Sequence, residues 1–104
     1  IKQINLSLNG GNQVLTGGIS GTYQDPPIKQ LALQGNYANA NEFYLGDSNL
    51  NTGTESYMLQ YPATVSSIPG GPVVLDFPKD AVVRLSELYV RGTSGQKVHG
   101  WVVV

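Results

Sequence analysis

Apolar and polar residues alternate with a period of two through most of this chain. The first segment, IKQINLSL, shows the pattern clearly, because Ile4, Leu6 and Leu8 fall on one face and polar residues fall on the other. Such alternation predicts a β-strand that is buried on one side. No stretch long enough for a helix keeps a helical period without a glycine or proline break.

Eight segments fit the strand pattern, and turn-forming residues separate them. They cover residues 1–8, 12–17, 28–37, 42–46, 57–61, 73–77, 87–92 and 96–104. So many short strands in 104 residues predict an all-β fold, an antiparallel two-sheet sandwich that forms one domain over residues 1–104. A jelly roll is the first choice of topology, and an immunoglobulin-like arrangement is the second.

The chain ends in the segment LSELYVRGTSGQKVHGWVVV, residues 85–104. We expect its two strands to form a hairpin around the GTSG turn at 92–95. Gly100 interrupts the alternation of the last strand and suggests a β-bulge. The closing apolar run, Trp101–Val104, is expected to be buried in its own sheet or beneath a neighbouring subunit, because an exposed apolar edge invites aggregation.

Composition narrows the classes of function. Only 12% of the residues are charged, so amides, hydroxyls and glycines must cover much of the surface. Such a surface suits a protein that packs in a large assembly, and equally an ordinary β-domain. The net charge of −1 and the scattered basic residues predict no nucleic-acid partner. No apolar run approaches the length of a membrane span, no segment resembles a signal peptide, and the absence of cysteine excludes disulfides.

His99 is the single histidine and the first candidate for chemistry. A metal or catalytic site needs partners, and the sequence has no second histidine and no cysteine to supply them. A triad can be written from Ser94, His99 and Asp80, but no G-x-S-x-G motif supports it. We therefore predict a strand-surface or interface histidine and no catalytic residue.

The loop GDSN at 46–49, with Glu55 further on, is rich in oxygen ligands. Calcium binding is one interpretation. The spacing of a calcium-binding loop is not met, and aspartate and asparagine commonly stabilise turns through their own backbone. We favour turn chemistry and predict neither a metal nor a cofactor.

The aromatic residues support a further hypothesis, a sugar-binding platform on a sheet face. Its possible members are Tyr23, Tyr37, Phe43, Tyr44, Tyr57, Tyr61, Tyr89 and Trp101. Strand tyrosines more often lie at the core edge with the hydroxyl in solvent, so the platform stays the less favoured interpretation.

The second half of the chain contains the motifs EFYLGDSNLNT, YMLQY, VVLDF and LSELYVRGTSGQKVHGWVVV. This series resembles the small β-sandwich structural proteins of tailed bacteriophages, in which a YLG segment precedes a loop and strand and an ELYV-type segment closes the domain. The resemblance runs from about Phe43 to Val104, and its most specific part is the terminal segment.

The resemblance implies a virion protein without enzymatic activity. The expected role is capsid decoration, or cement: binding the outer capsid surface and stabilising the head. It implies the major capsid protein as partner, a homotrimer, a location on the capsid surface, and no nucleic-acid or membrane contact. Residue types enriched in interface cores supply the interface candidates, which are Tyr44, Tyr57, Tyr61, Tyr89, Arg91 and Trp101.

The alternative function is a carbohydrate-binding or receptor-binding β-sandwich module of a tail or fibre protein. Its partner would be a glycan. A small hydrolase that uses His99 is the third and weakest hypothesis.

Overall fold

The computed structural model describes residues 1–36, 41–50, 57–61 and 72–104, and for residues 57–61 it describes the backbone alone. Eight strands lie in these residues: β1 Lys2–Ser7, β2 Gln13–Val14, β3 Gln30–Gly35, β4 Phe43–Gly46, β5 Tyr57–Tyr61, β6 Val73–Asp76, β7 Tyr89–Arg91 and β8 Lys97–Val103. Two short 3-10 helices cover Leu15–Gly18 and Leu85–Glu87. Each strand falls within a predicted segment; β5 has the predicted bounds, and the other seven strands are shorter.

The strands form two antiparallel sheets. Sheet one has the order β1-β8-β3-β6, and sheet two has the order β2-β7-β4-β5. The chain is arranged like one long hairpin, with β1 to β4 in one arm and β5 to β8 in the other. Across the two arms, β4 pairs with β5, β3 with β6, β2 with β7 and β1 with β8. Two further pairings, β3 with β8 and β4 with β7, roll this hairpin into a sandwich. This is the jelly-roll order, so the predicted fold class and first-choice topology are confirmed.

The predicted terminal hairpin is wrong. β7 lies in sheet two between β2 and β4, whereas β8 lies in sheet one between β1 and β3. The GTSG turn carries the chain from one sheet to the other, and Gly95 takes φ +90° while its N–H donates to the carbonyl of Leu8 at 2.9 Å. A Cβ at Gly92 would lie 2.6 Å from Cδ1 of Leu8. Glycines are therefore needed where the chain crosses the top of the core.

The core lies between the sheets and consists of the alternating apolar residues of both. Sheet one contributes Ile4, Leu6, Leu31, Leu33, Val98 and Val102. The other side contributes Leu15, Phe43, Leu45, Leu85 and Val90. The inward face of β1 is the one that the alternation predicted.

The closing strand corrects two further expectations. Val102 is fully buried, but Trp101 is 46% exposed and Val104 is 43% exposed, so burial of the whole run Trp101–Val104 within its own sheet was wrong, and burial beneath a neighbouring subunit stays a prediction. β8 also pairs without a register shift through Gly100, opposite Ile4 of β1 and Leu33 of β3, so no bulge forms there. A strand held on both sides keeps its alternation, and this alternation turns Trp101 outward.

Candidate functional site

The outer face of sheet one carries a row of register partners that crosses all four strands. Gln3 of β1 lies opposite Trp101 of β8, Trp101 opposite Ala32 of β3, and Ala32 opposite Val74 of β6. Trp101 and Val74 are about half exposed, whereas Ala32 between them is buried. The row therefore places a short apolar stripe in the middle of a face that is otherwise polar.

A hollow of about 280 Å³ lies beside the indole of Trp101. The described residues that line it are Gln3, Asn5, Ala32, Leu33, Gln34, Pro72, His99, Gly100 and Trp101. Leu33 belongs to the buried core and Gly100 has no side chain, so these two contribute backbone to the hollow. The remaining lining combines one aromatic wall with amide and imidazole groups.

Two hydrogen bonds hold the indole in place. Trp101 Nε1 donates to Oε1 of Gln30 at 3.3 Å, and Gln30 Nε2 donates in turn to Oδ1 of Asp76 at 2.9 Å. The relay links β8, β3 and β6 across the outer face. Because the polar edge of the indole is engaged, the exposed part of the side chain is the apolar ring.

His99 bridges two asparagines on the other side of the hollow. Its Nδ1 lies 2.8 Å from Oδ1 of Asn5, and its Nε2 lies 2.8 Å from Nδ2 of Asn36. A neutral ring with its proton on Nδ1 fits both partners, because the amide oxygen accepts and the amide nitrogen donates. Both ring nitrogens are thus engaged by amides and not by Ser94 or Asp80. The imidazole joins β1 to the residue that follows β3.

The outer face of sheet two brings together three of the interface candidates. Tyr44 of β4 lies opposite Arg91 of β7, and Gly46 of β4 lies opposite Tyr89 of β7. Tyr44, Tyr89 and Arg91 are each half-buried. We call these three residues the Tyr44–Arg91 face.

Neighbouring polar groups orient this face. The Tyr44 hydroxyl donates to Oε1 of Glu42 at 3.3 Å, and Nη1 of Arg91 donates to Oδ1 of Asn12 at 3.3 Å. Asn12 also donates through Nδ2 to the carbonyl of Ser48 at 3.2 Å. The guanidinium and the phenol are therefore supported side by side on adjacent strands.

The six interface candidates do not form one patch. Trp101 lies on sheet one, on the opposite side of the sandwich from the Tyr44–Arg91 face. Tyr57 and Tyr61 lie in β5, where their backbone pairs with Gly46 and Phe43, and their side chains are outside the described residues.

The eight aromatic residues of the sugar-platform hypothesis are likewise divided. Phe43 belongs to the buried core, and Tyr37 lies outside the described residues. Trp101 is thus the aromatic residue that the structure places in the hollow. Gln3 and Asn5 were not among the predicted site residues, although alternation in β1 places both on the face opposite Ile4.

A polar cluster joins the loop before β3 to the 3-10 helix Leu85–Glu87. Asp25 has φ +60°, and its carboxylate accepts hydrogen bonds from the backbone N–H of Ser86 at 3.2 Å and from the Ser86 hydroxyl. The hydroxyl of Tyr23 is buried, and no hydrogen-bond partner for it occurs in the described residues. Burial raises the pKa of Tyr23, and the charge of Asp25 raises it further. The bonds between Asp25 and Ser86 stabilise the fold, whereas the buried Tyr23 hydroxyl costs stability. None of these three residues lines the hollow beside Trp101.

Residues 47–50, directly after β4, form a turn. Asp47 Oδ1 accepts from the backbone N–H of Asn49 at 2.8 Å, and the N–H of Leu50 donates to the Asp47 carbonyl at 3.0 Å. This confirms the predicted turn chemistry at Asp47, while Glu55 lies outside the described residues. Among the residues that the structure describes, no group of three histidine or acidic side chains is placed to hold a metal ion. In the same residues, no helix has the length and apolar character to cross a membrane.

No family model matches the chain, and no curated protein or solved structure is significantly similar to it. The resemblance of residues 43–104 to phage structural proteins therefore stays a prediction from the sequence.

Proposed function

We propose that this chain is a non-enzymatic virion structural protein of a tailed bacteriophage, which acts as a capsid decoration protein and stabilises the head. The support is the resemblance of residues 43–104, the jelly-roll sandwich, and the low share of charged residues. The observation on which the proposal depends most is the Tyr44–Arg91 face. On this account, that face contacts the major capsid protein.

The chemistry of this face suits an adhesive contact. Tyrosine and arginine are enriched in the buried centres of interfaces, because each combines a large contact area with polar groups that find partners. The supporting bonds from Arg91 to Asn12 and from Tyr44 to Glu42 limit the entropy lost when the face is covered. A protein held by such a face does its work through binding alone.

The size of the molecule is adequate for this role. A stable interface buries about 800 Å² per partner, which is roughly one seventh of the 5922 Å² surface of the chain. We propose a homotrimer as the assembled form, since closed symmetry lets identical copies occupy a symmetry axis of a lattice.

The test is co-sedimentation of the purified protein with capsids of the phage that encodes it, after the native copies have been stripped off. Wild-type protein should bind saturably. Tyr44→Ala and Arg91→Ala should each weaken binding about tenfold or more, as expected for interface centres. Arg91→Lys should bind more weakly than wild type, because lysine lacks the planar fork of the guanidinium.

The matched control is Trp101→Ala on the opposite sheet, which should bind capsids like the wild type. Circular dichroism of each variant verifies that the fold is intact. Failure of the wild type to bind, or an equal loss from the Trp101→Ala control, would overturn the proposal.

A further inference from the structure

We propose that the hollow beside Trp101 binds a neutral saccharide, with one sugar ring stacked on the exposed indole. This activity goes beyond capsid decoration and does not depend on it. The hollow belongs to sheet one, whereas the proposed capsid contact belongs to sheet two.

The indole is presented as a binding surface. Trp101 is 46% exposed, although it lies in β8, a central strand of its sheet. Its Nε1 is engaged by Gln30, which is held by Asp76, so the orientation of the ring is fixed before any ligand arrives. The C–H-rich face of a pyranose is apolar and slightly positive, and it complements the negative face of an aromatic ring. A fixed ring loses little conformational entropy on binding.

The rim of the hollow supplies hydrogen-bonding groups at short range from the ring. Gln3, Asn5 and Gln34 line it beside His99, whose two ring nitrogens are already engaged by Asn5 and Asn36. Asn5 accepts from His99 through Oδ1, and its amide nitrogen makes no hydrogen bond to the described residues. The side-chain amide of Gln3 also makes none there. Amides both donate and accept, which is the capacity that a sugar hydroxyl requires.

The charge and the size of the hollow limit the class of ligand. Among the described residues, the nine that line the hollow include no acidic residue, lysine or arginine, and the acidic group of the relay, Asp76, already accepts from Gln30. An uncharged ligand is therefore favoured over a phosphate, a carboxylate or an amine. A volume of about 280 Å³ is just below the usual range for ligand sites, about 300–1,000 Å³, so we expect one ring to be held and the rest of a glycan to extend outward.

A second protein chain is a poorer match to this surface. The exposed apolar stripe consists of Trp101 and Val74, with buried Ala32 between them and amides around them. Such a stripe is far smaller than the roughly 800 Å² per partner of a stable protein interface. The combination of a single aromatic wall with a polar rim is typical of a small-ligand site.

The experiment uses Trp101 as its own reporter, because it is the single tryptophan in the sequence. The purified chain is titrated with neutral tetrasaccharides of glucose, galactose, mannose and N-acetylglucosamine, and with an acidic tetrasaccharide of galacturonate. We expect a saturable change in tryptophan fluorescence with at least one neutral series, at a dissociation constant of about 1 mM or lower. The acidic series should bind at least about tenfold more weakly.

Isothermal titration calorimetry then compares how tightly the wild type and its variants bind the saccharide that gave a response, and so locates the binding site. Trp101→Ala should weaken binding at least about tenfold, and Trp101→Phe should weaken it less, because a smaller ring still stacks. The matched control is Tyr89→Ala on the outer face of sheet two, which should bind the saccharide like the wild type.

Three results would overturn the inference: no saturable response to any neutral series, binding that survives Trp101→Ala, or equal loss from Tyr89→Ala. A fluorescence change that depends on protein concentration alone, with self-association in sedimentation velocity, would assign the surface to a second copy instead. Capsid co-sedimentation is measured separately, so the decoration role can fail while the saccharide site holds, and the reverse.

Discussion

Trp101 and Val102 are neighbours in β8, and they lie on opposite sides of sheet one. Val102 is fully buried in the core, whereas Trp101 is 46% exposed on the outer face. The two residues give β8 a core side and an exposed side, and the exposed side is the one proposed to bind a saccharide. This division separates the effects of substitutions that are adjacent in sequence.

Val102→Ala should lower the free energy of unfolding by about 2 kcal/mol, because it removes two buried methyl groups and leaves a cavity. Trp101→Ala should cost less than about 1 kcal/mol, since the side chain is half exposed and makes one weak hydrogen bond to Gln30. Urea denaturation of both variants measures the difference. An equal or larger loss from Trp101→Ala would mean that the indole is part of the core.

Gly100 is required for the close approach of β8 to β3. A Cβ there would lie 1.9 Å from the carbonyl oxygen of Ala32, which is backbone and cannot rotate away. Gly100→Ala should therefore destabilise the fold by about 3 kcal/mol or prevent soluble expression. Gly17→Ala is the control, because the nearest atom to its added Cβ is 4.0 Å away and it should change stability by less than about 1 kcal/mol. A thermal melt of Gly100→Ala that matches the wild type would refute this packing.

Asp25 supports the fold through its carboxylate while its backbone takes a left-handed conformation. Asp25→Ala should cost about 2 kcal/mol, because it removes both bonds to Ser86 and leaves a non-glycine residue without a stabilising side chain at φ +60°. Asp25→Gly removes the same bonds and relieves the backbone, so its loss should be about 1 kcal/mol smaller. Chemical denaturation of the two variants separates the contributions. Equal losses would show that the backbone conformation has no cost at this position.

Tyr23 should make stability depend on pH in the alkaline range. Burial, and then the charge of Asp25, raise the pKa of its hydroxyl above the ordinary value of 10.0. Because the pKa is higher in the folded state, the contribution of the protonated hydroxyl to stability is complete below the unfolded-state pKa. It is lost as the pH rises through the folded-state pKa. The melting temperature should therefore fall above pH 10.0 partly through Tyr23.

Tyr23→Phe supplies the control for this dependence. It should reduce the alkaline fall, and near neutral pH it should raise stability by about 1 kcal/mol, because the buried hydroxyl has no partner in the described residues. A loss of stability at neutral pH would show that the hydroxyl does have a partner in the folded protein.

The strands could be predicted from sequence because alternation is a local property. In β1, Ile4 and Leu6 are inward and Asn5 is outward, as the pattern required. The terminal hairpin could not be judged in the same way. A glycine turn such as GTSG is compatible both with two strands in one sheet and with a crossing between sheets. Only the long-range pairing of β8 with β1 and β3 decides between them.

The hollow was still less predictable. Asn5 reaches His99 only through the pairing of the first strand with the last, which a local pattern does not contain. The run of four apolar residues Trp101–Val104 favoured the prediction that all four side chains are buried. The structure shows that alternation persists in a strand with partners on both sides, and this is the rule that would have placed Trp101 correctly.

Quantitative mass spectrometry of purified virions, combined with the mass of the free protein in solution, tests the decoration role most directly. We predict a trimer in solution and a copy number per particle that matches the threefold positions of the capsid lattice. A monomer present at a few copies per particle, or the absence of the protein from virions, would contradict it.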